Sequence, residues 1–233
     1  MISIADNLQN VRQLIKNAAI SAGRDENSVQ LLAVSKTHPA TAIRAAIDAG
    51  QRRFGENYLQ EALDKILTLR DITNIEWHFI GPIQSNKTRP IAENFHWVHT
   101  LDREKTAHRL DAQRPSTLAP LNVCIQINID NEPTKSGIMP TDLAPLAAAI
   151  TKMPNLQLRG LMAIPKAQAS DAEMAASFTK MQRLFEKLKT QHPSVDTLSM
   201  GMSADLNEAI AAGSTMVRIG TAIFGARADA KKD

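Results

Sequence analysis

Hydrophobic and polar positions along this chain follow two periods. Residues 3–22 repeat every three to four positions, with Ile4, Leu8, Val11, Ile15 and Ala18 on one face, which predicts an amphipathic helix. A unit then recurs, a short apolar run followed by a helical pattern. Eight runs read as strands, at 30–36, 52–56, 76–81, 96–101, 121–129, 158–164, 197–202 and 216–221. Helical periodicity fills 40–49, 57–70, 103–112, 140–152, 171–190 and 204–212, while Pro82 to Glu93 is short and polar and gives only a weak helical pattern. Eight strands alternating with helices predict an α/β fold, a (β/α)8 barrel with an extra N-terminal helix. Such a barrel carries its active groups at the C-terminal strand ends. An open doubly wound sheet is the alternative, but no Gly-x-Gly-x-x-Gly follows the first strand. No linker or low-complexity segment intervenes, so residues 1–233 are expected to form one domain, with a mobile tail from Ala228 to Asp233.

Strand parity assigns faces, because alternate residues of a strand point the same way. If Lys36 points into the barrel, so do Val34 and Leu32. In the fifth strand Asn122, Cys124, Gln126 and Asn128 are expected inside, with Leu121, Val123, Ile125, Ile127 and Ile129 toward the helices. A polar interior at that height suits a polar ligand, although these amides can also satisfy one another.

Composition narrows the classes. The 233 residues are 43% hydrophobic, enough for a real core, and no apolar run approaches the ~18 residues of a membrane span. The start Met1-Ile2-Ser3-Ile4-Ala5-Asp6 lacks the order of a signal peptide. A single cysteine, Cys124, cannot form an internal disulfide and fits a reducing cytoplasm. Net charge is +3 and aromatics are 4%, too mild a balance to argue for a nucleic-acid partner. A monomer is expected, since the sequence exposes no readable apolar patch.

The chemistry begins at Lys36. Leu31-Leu32-Ala33-Val34-Ser35-Lys36 runs apolar and then stops on a cation, before Thr37-His38-Pro39 turns the chain away. Desolvation at the mouth of a sheet lowers an amine pKa and leaves a nucleophile able to form a Schiff base with an aldehyde. A lone strand-end lysine is more often a surface side chain snorkelling over the sheet, so the other motifs decide. Met200-Gly201-Met202-Ser203 and Arg218-Ile219-Gly220-Thr221 read as a phosphate cradle near strands seven and eight. Its holders would be Ser203 and the first amides of the helix at 204–212, with Gly220 and Thr221. An aldehyde that carries a phosphate points to pyridoxal 5′-phosphate. Phe54-Gly55-Glu56-Asn57 ends the second strand and brings Asn57 beside Lys36, either as a ligand contact for a phenolic oxygen or as a helix N-cap. Arg218 shares a face with Gly220 and is placed to donate to a pyridine nitrogen. A protonated arginine there keeps that nitrogen neutral and weakens the ring as an electron sink.

Other motifs carry less. His78 reads as a satisfied core histidine, and His96 and His99 fall on opposite strand faces, so no metal pair forms. Gly201-Met202-Ser203-Ala204-Asp205 lacks the second glycine of a nucleophile elbow.

Taken together, these stretches resemble the pyridoxal-phosphate homeostasis protein family over nearly the whole chain. The matching stretches are Leu31–Lys36, Phe54–Tyr58, Trp77–Lys87, Lys135–Ile138, Arg159–Met162 and Val217–Arg227, of which the third is highly specific. The resemblance implies a barrel like the N-terminal domain of alanine racemase, the fold-type III architecture. By it, Lys36 is the lysine that forms the aldimine, Asn57 a cofactor contact and Arg218 the ring-nitrogen partner, with Ser203, Gly220 and Thr221 on the phosphate. It also implies a protein that carries and buffers the cofactor without turnover, with cofactor-dependent apo-enzymes as recipients. One departure is His38, where some relatives have a second lysine.

Two other functions compete. A fold-type III amino-acid racemase needs acid/base groups on both faces of the cofactor. In alanine racemase one of them is a tyrosine, in a site completed by a second domain. The chain ends about eight residues after Gly225, so that domain is expected to be missing, and its only tyrosine, Tyr58, is expected to point away from Asn57's side. A lysine-dependent aldolase explains Lys36 and the cradle but not Arg218 aimed at a ring.

Overall fold

The computed structural model describes residues 3–166 and 169–226; the tail expected at 228–233, Arg227 of the last matching stretch, and Met1 and Ile2 of the leader reading lie outside the described residues. Eight parallel strands close into a barrel in sequence order: β1 Gln30–Val34, β2 Arg53–Glu56, β3 Glu76–Phe79, β4 Trp97–Leu101, β5 Leu121–Gln126, β6 Leu156–Met162, β7 Thr197–Ser199 and β8 Met216–Ile219. The doubly wound alternative is excluded, because β8 pairs back onto β1 with Leu32 opposite Arg218.

The helices are α1 Ile4–Ser21, α2 Ala40–Asp48, α3 Leu59–Thr68, α4 Thr88–Asn94, α5 Glu104–Gln113, α6 Leu143–Ile150, α7 Asp171–Gln191, α8 Leu206–Ala211 and α9 Thr221–Phe224. The polar stretch after β3 does hold a helix, α4, preceded by a 3-10 turn at 85–87. Its amphipathic signal is faint because only Thr88, Ile91 and Ala92 are buried. The helix expected from 204 starts at Leu206, because Asp205 accepts the Met202 amide and holds 202–205 as a turn.

Two layers of apolar packing follow from parity. The outer layer joins alternate strand residues to the helices and includes Leu121, Val123, Ile125, Ile127 and Ile129 of β5 and its extension. Inside the barrel Cys124 packs with Trp97 and Met162, as the fifth-strand pattern predicts. Burying each large apolar side chain contributes about 1.5–3 kcal/mol, which is why the chain alternates so strictly where the two layers diverge.

The N-terminal helix braces one side of the barrel. A capping box between Ser3 and Asp6 starts α1, and Leu8, Val11, Ile15, Ala18 and Ala19 are buried. Asn7 donates to the Ile223 carbonyl (2.9 Å), and Arg24 to the Ile210 and Ser214 carbonyls (2.7 and 2.8 Å). These bonds fix α8 and α9 from behind, on the side where β7 and β8 open.

Candidate functional site

Four neighbouring strands, β7, β8, β1 and β2, bring the predicted residues to one arc of the C-terminal mouth. Val34 pairs with Gly55, so Lys36 and Asn57, each two residues further, lie side by side. The Arg218 amide donates to the Gly201 carbonyl (3.0 Å), which joins the β8 end to the turn that carries Ser203. A side chain on Gly220 would come within 3.0 Å of the Val34 carbonyl oxygen, so the β8 end lies tight against the base of Lys36. Ser203 and Thr221 are exposed at the mouth, while Lys36, Asn57 and Gly220 are half-buried. Lys36 itself lies two residues beyond the last strand position of β1.

A buried polar cluster outside the barrel wall pins both neighbours of Lys36. Ser35 donates to Glu56 Oε1 (2.6 Å), and Lys65 of α3 donates to that same oxygen (2.8 Å) and to the Ser35 carbonyl (2.8 Å). Glu61 accepts from Lys65 (2.5 Å) and from the Thr37 amide (2.6 Å). Thr37 adopts φ +65°, a left-handed conformation that a β-branched residue holds only when its surroundings fix it. That kink ends the strand and turns Lys36 at its tip. Glu56 is fully buried. Burial pushes its carboxyl up, against the attraction of Lys65 and the hydrogen bonds from Lys65 and Ser35. Sequence reading missed this cluster; its one signal was a lysine on the apolar face of α3 between Ala62 and Leu69, four residues after a glutamate.

Asn57 is set by the β3 end. A Cβ on Gly81 would fall 2.0 Å from the Asn57 carbonyl oxygen, so only glycine admits this approach. The Gly81 carbonyl in turn accepts from Thr100 (2.6 Å). The N-cap reading of Asn57 is overturned, because α3 starts at Leu59 with Tyr58 at its cap position. Instead the Asn57 side-chain oxygen is buried and has no protein partner. It borders a cavity of about 280 Å3 that Ile80, Thr100, Gln126, Asn128 and Ile164 also line. Gln126 and Asn128 donate to the carbonyls of Ser136 (3.1 Å) and Glu132 (2.8 Å), so the polar set of β5 holds the 132–136 loop rather than pairing with itself.

Arg218 is almost fully buried inside the barrel. Its Nη1 donates to the Ser199 carbonyl and hydroxyl (both 2.8 Å), and its Nη2 to the Ala163 carbonyl (2.9 Å). Burial lowers the guanidinium to about 10, with Asp205 opposing, so it stays charged at neutral pH. His78 is the satisfied core histidine the sequence suggests, bonded through both ring nitrogens and stacked on Trp97 at 5.3 Å. His96 is exposed and His99 buried, and no metal-binding group of His, Cys, Asp or Glu forms among the described residues. His38 stacks on Phe224 at 5.1 Å and joins the loop after Lys36 to α9. No helix among the described residues is long and apolar enough to cross a membrane.

The family model for the alanine racemase N-terminal domain matches residues 3–228. The pyridoxal phosphate homeostasis protein of Escherichia coli (strain K12) is 56% identical over 234 residues, which cover 100% of both chains. The protein of the same name in Pseudomonas aeruginosa is 57% identical, with 97% of each chain covered. Among solved structures, PipY of Synechococcus elongatus PCC7942 with PLP bound superposes with a TM-score of 0.83 at 38% identity, over 96% of this chain and 100% of that one. The barrel, the site arc and these likenesses agree: the chain belongs to the pyridoxal phosphate homeostasis protein family, built on the alanine racemase N-terminal fold.

Proposed function

We propose that this protein binds pyridoxal 5′-phosphate at the β7–β8–β1–β2 mouth, holds it on Lys36, and releases it to other proteins without converting a substrate. The observation that supports the reading is the strand register, which pairs Val34 with Gly55 and Ala33 with Ile219 and so brings the backbone of Lys36, Asn57 and Arg218 to neighbouring strand ends. The residues present fit the cofactor. The buried, unpartnered Asn57 oxygen awaits a polar group, and Gly220 leaves no side chain between β8 and the base of Lys36. Arg218 uses three of its five N–H donors on Ser199 and Ala163, leaving two for a ring nitrogen. Ser203 with Gly220 and Thr221 would hold the phosphate, on amides and hydroxyls exposed at the mouth. When bound, the cofactor supplies an aldehyde for Lys36. Arg218 beside the ring would keep its nitrogen unprotonated and so limit electron withdrawal.

The carrier reading is also supported by the names of the relatives and by the PLP-bound neighbour. Tyr58, the only tyrosine, is more than half exposed and stands at the cap position of α3. The alternative, a fold-type III racemase, draws on the family match alone. Cytoplasmic placement fits the single, buried free thiol of Cys124. Partners would then be cofactor-requiring apo-enzymes.

Borohydride reduction after incubation with pyridoxal 5′-phosphate, followed by peptide mass mapping, tests the site. One reduced adduct on Lys36, lost in Lys36→Ala, is expected; adducts scattered over surface lysines would overturn the assignment. Racemase assays on alanine and serine then separate carrier from enzyme, and turnover of either would favour the racemase.

A further inference from the structure

A chain of hydrogen bonds crosses the barrel interior from the N-terminal end of β3 to Arg218. Glu76 Oε1 lies 2.9 Å from His78 Nε2, His78 Nδ1 lies 2.9 Å from His99 Nε2, and His99 Nδ1 lies 3.0 Å from Ser199 Oγ. Ser199 Oγ in turn accepts from Arg218 Nη1 at 2.8 Å. His78, His99 and Ser199 are fully buried. Glu76 is the exception, reaching the outer end of the barrel, where Arg53 donates to the same oxygen at 3.1 Å.

The carboxylate end dictates the direction of every proton along the chain. An ionised Glu76 only accepts, so His78 carries its proton on Nε2 and gives it to that carboxylate. The neutral His78 then accepts at Nδ1, so His99 carries its proton on Nε2 and gives it to His78. His99 Nδ1 in turn accepts the Ser199 hydroxyl hydrogen, while the Arg218 guanidinium, which only donates, takes a lone pair of Ser199 Oγ. Both rings are neutral in this scheme. Burial pushes both histidines down, His99 well below its ordinary value because His78 and Arg218 also oppose a charge there. Burial alone would raise the Glu76 carboxyl, but the hydrogen bond from His78 and the nearby Arg53 guanidinium hold it below its ordinary value, an acceptor at neutral pH. With two neutral rings, the pure acceptor at the Glu76 end leaves a single orientation in which every ring nitrogen of the chain is paired.

We propose that Glu76, His78, His99 and Ser199 are positioning residues for Arg218: they form a one-way relay that fixes the guanidinium against β7 and aims its remaining donors at the cofactor ring. This rests on the reading that Arg218 faces the ring nitrogen. Ser199 grips the guanidinium through both its hydroxyl and its carbonyl, and His99 stops the hydroxyl from rotating away. His99 is held by His78, and His78 by Glu76 and by its stack on Trp97.

The test starts on the unaltered full chain without cofactor. Two-bond 1H–15N spectra of histidine-labelled protein are expected to show His78 and His99 both in the Nε2–H tautomer; an Nδ1–H form at either position overturns the relay. Binding is then measured for His78→Phe, which keeps a ring on Trp97 but breaks the chain without touching Arg218, and for Ser199→Ala. Each is expected to raise the Kd for pyridoxal 5′-phosphate about 10-fold or more, the scale of loosening one charged hydrogen bond, and to shift the absorption band of the bound cofactor. His78→Phe is also expected to move the His99 proton to Nδ1. Unchanged Kd and absorption in variants that fold would reduce the chain to core packing and overturn the proposal. If the native chain takes up no cofactor, the functional reading fails, and the tautomers still report on the relay.

Discussion

Lys65→Met removes the cation that holds the loop around Lys36 and leaves Glu56, which is 0% exposed, without its partner. Lys65 lies 2.8 Å from Glu56 Oε1 and 2.8 Å from the Ser35 carbonyl, and methionine of similar length offers neither contact. Breaking a buried pair by deleting one member costs about 3–5 kcal/mol. For a chain of this size each kcal/mol moves Tm by about 2–4 °C, so a drop of roughly 6–20 °C is expected. The pH dependence has a definite sign. Glu56 has its carboxyl raised in the folded state, chiefly by burial, and losing Lys65 raises it further. A raised acid takes up a proton on folding, so its ionisation costs stability as pH climbs from the unfolded value of about 4.3 through the folded one. The gap between wild type and variant should therefore widen from pH ~5 to pH ~8 and narrow in acid. Urea and thermal unfolding across that range measure it. A gap below about 1 kcal/mol, or one independent of pH, would refute the view that Glu56 is a paired, desolvated carboxylate. Adding Glu56→Gln should recover part of the loss, since the uncompensated charge is then gone. Because Ser35 and Thr37 flank Lys36, the single variant should also give less reduced adduct there.

Gly81→Ala forces a methyl to within 2.0 Å of the Asn57 carbonyl oxygen, so the β2 or β3 end must move. Overpacking of this kind costs about 1–3 kcal/mol, and weaker cofactor binding is expected with it; unchanged melting and affinity would show that the two strand ends are not coupled. Cys124 is fully buried, and burial pushes its thiol well up, so it should resist thiol reagents in the native state and react only at the rate of unfolding. Rapid modification without denaturant would contradict its place inside the barrel. Asp205→Asn keeps the acceptor for the Met202 amide but removes the charge that opposes the lowering of Arg218. Stability should change little, while affinity for pyridoxal 5′-phosphate falls; an unchanged affinity would free Arg218 from any dependence on Asp205.

The barrel was legible along the chain, and so were the strand ends at which the proposed site residues lie. Periodicity of 2 and 3.6 is set by local backbone geometry, so eight apolar runs separated by helical faces already name eight strands. Strand-end chemistry proposed Lys36, Asn57, Arg218, Ser203, Gly220 and Thr221 for one site, and the register of β1 with β2 and β8 brings Lys36, Asn57 and Arg218 to neighbouring strand ends. The inner and outer sets of β5 were legible for the same reason. The tertiary structure alone decided what depends on neighbours distant along the chain. Lys65 looked like any helix lysine until α3 packed it on Glu56 and Ser35. Gly81 showed only a turn until its strand end met Asn57. His78, His99, Ser199 and Arg218 come from four different strands, and closing the barrel aligned their polar atoms into one path. Local pattern fixes which way each side chain points; only barrel closure fixes what it meets there, because hydrogen-bond distances across the interior depend on register and shear that no short stretch of sequence contains.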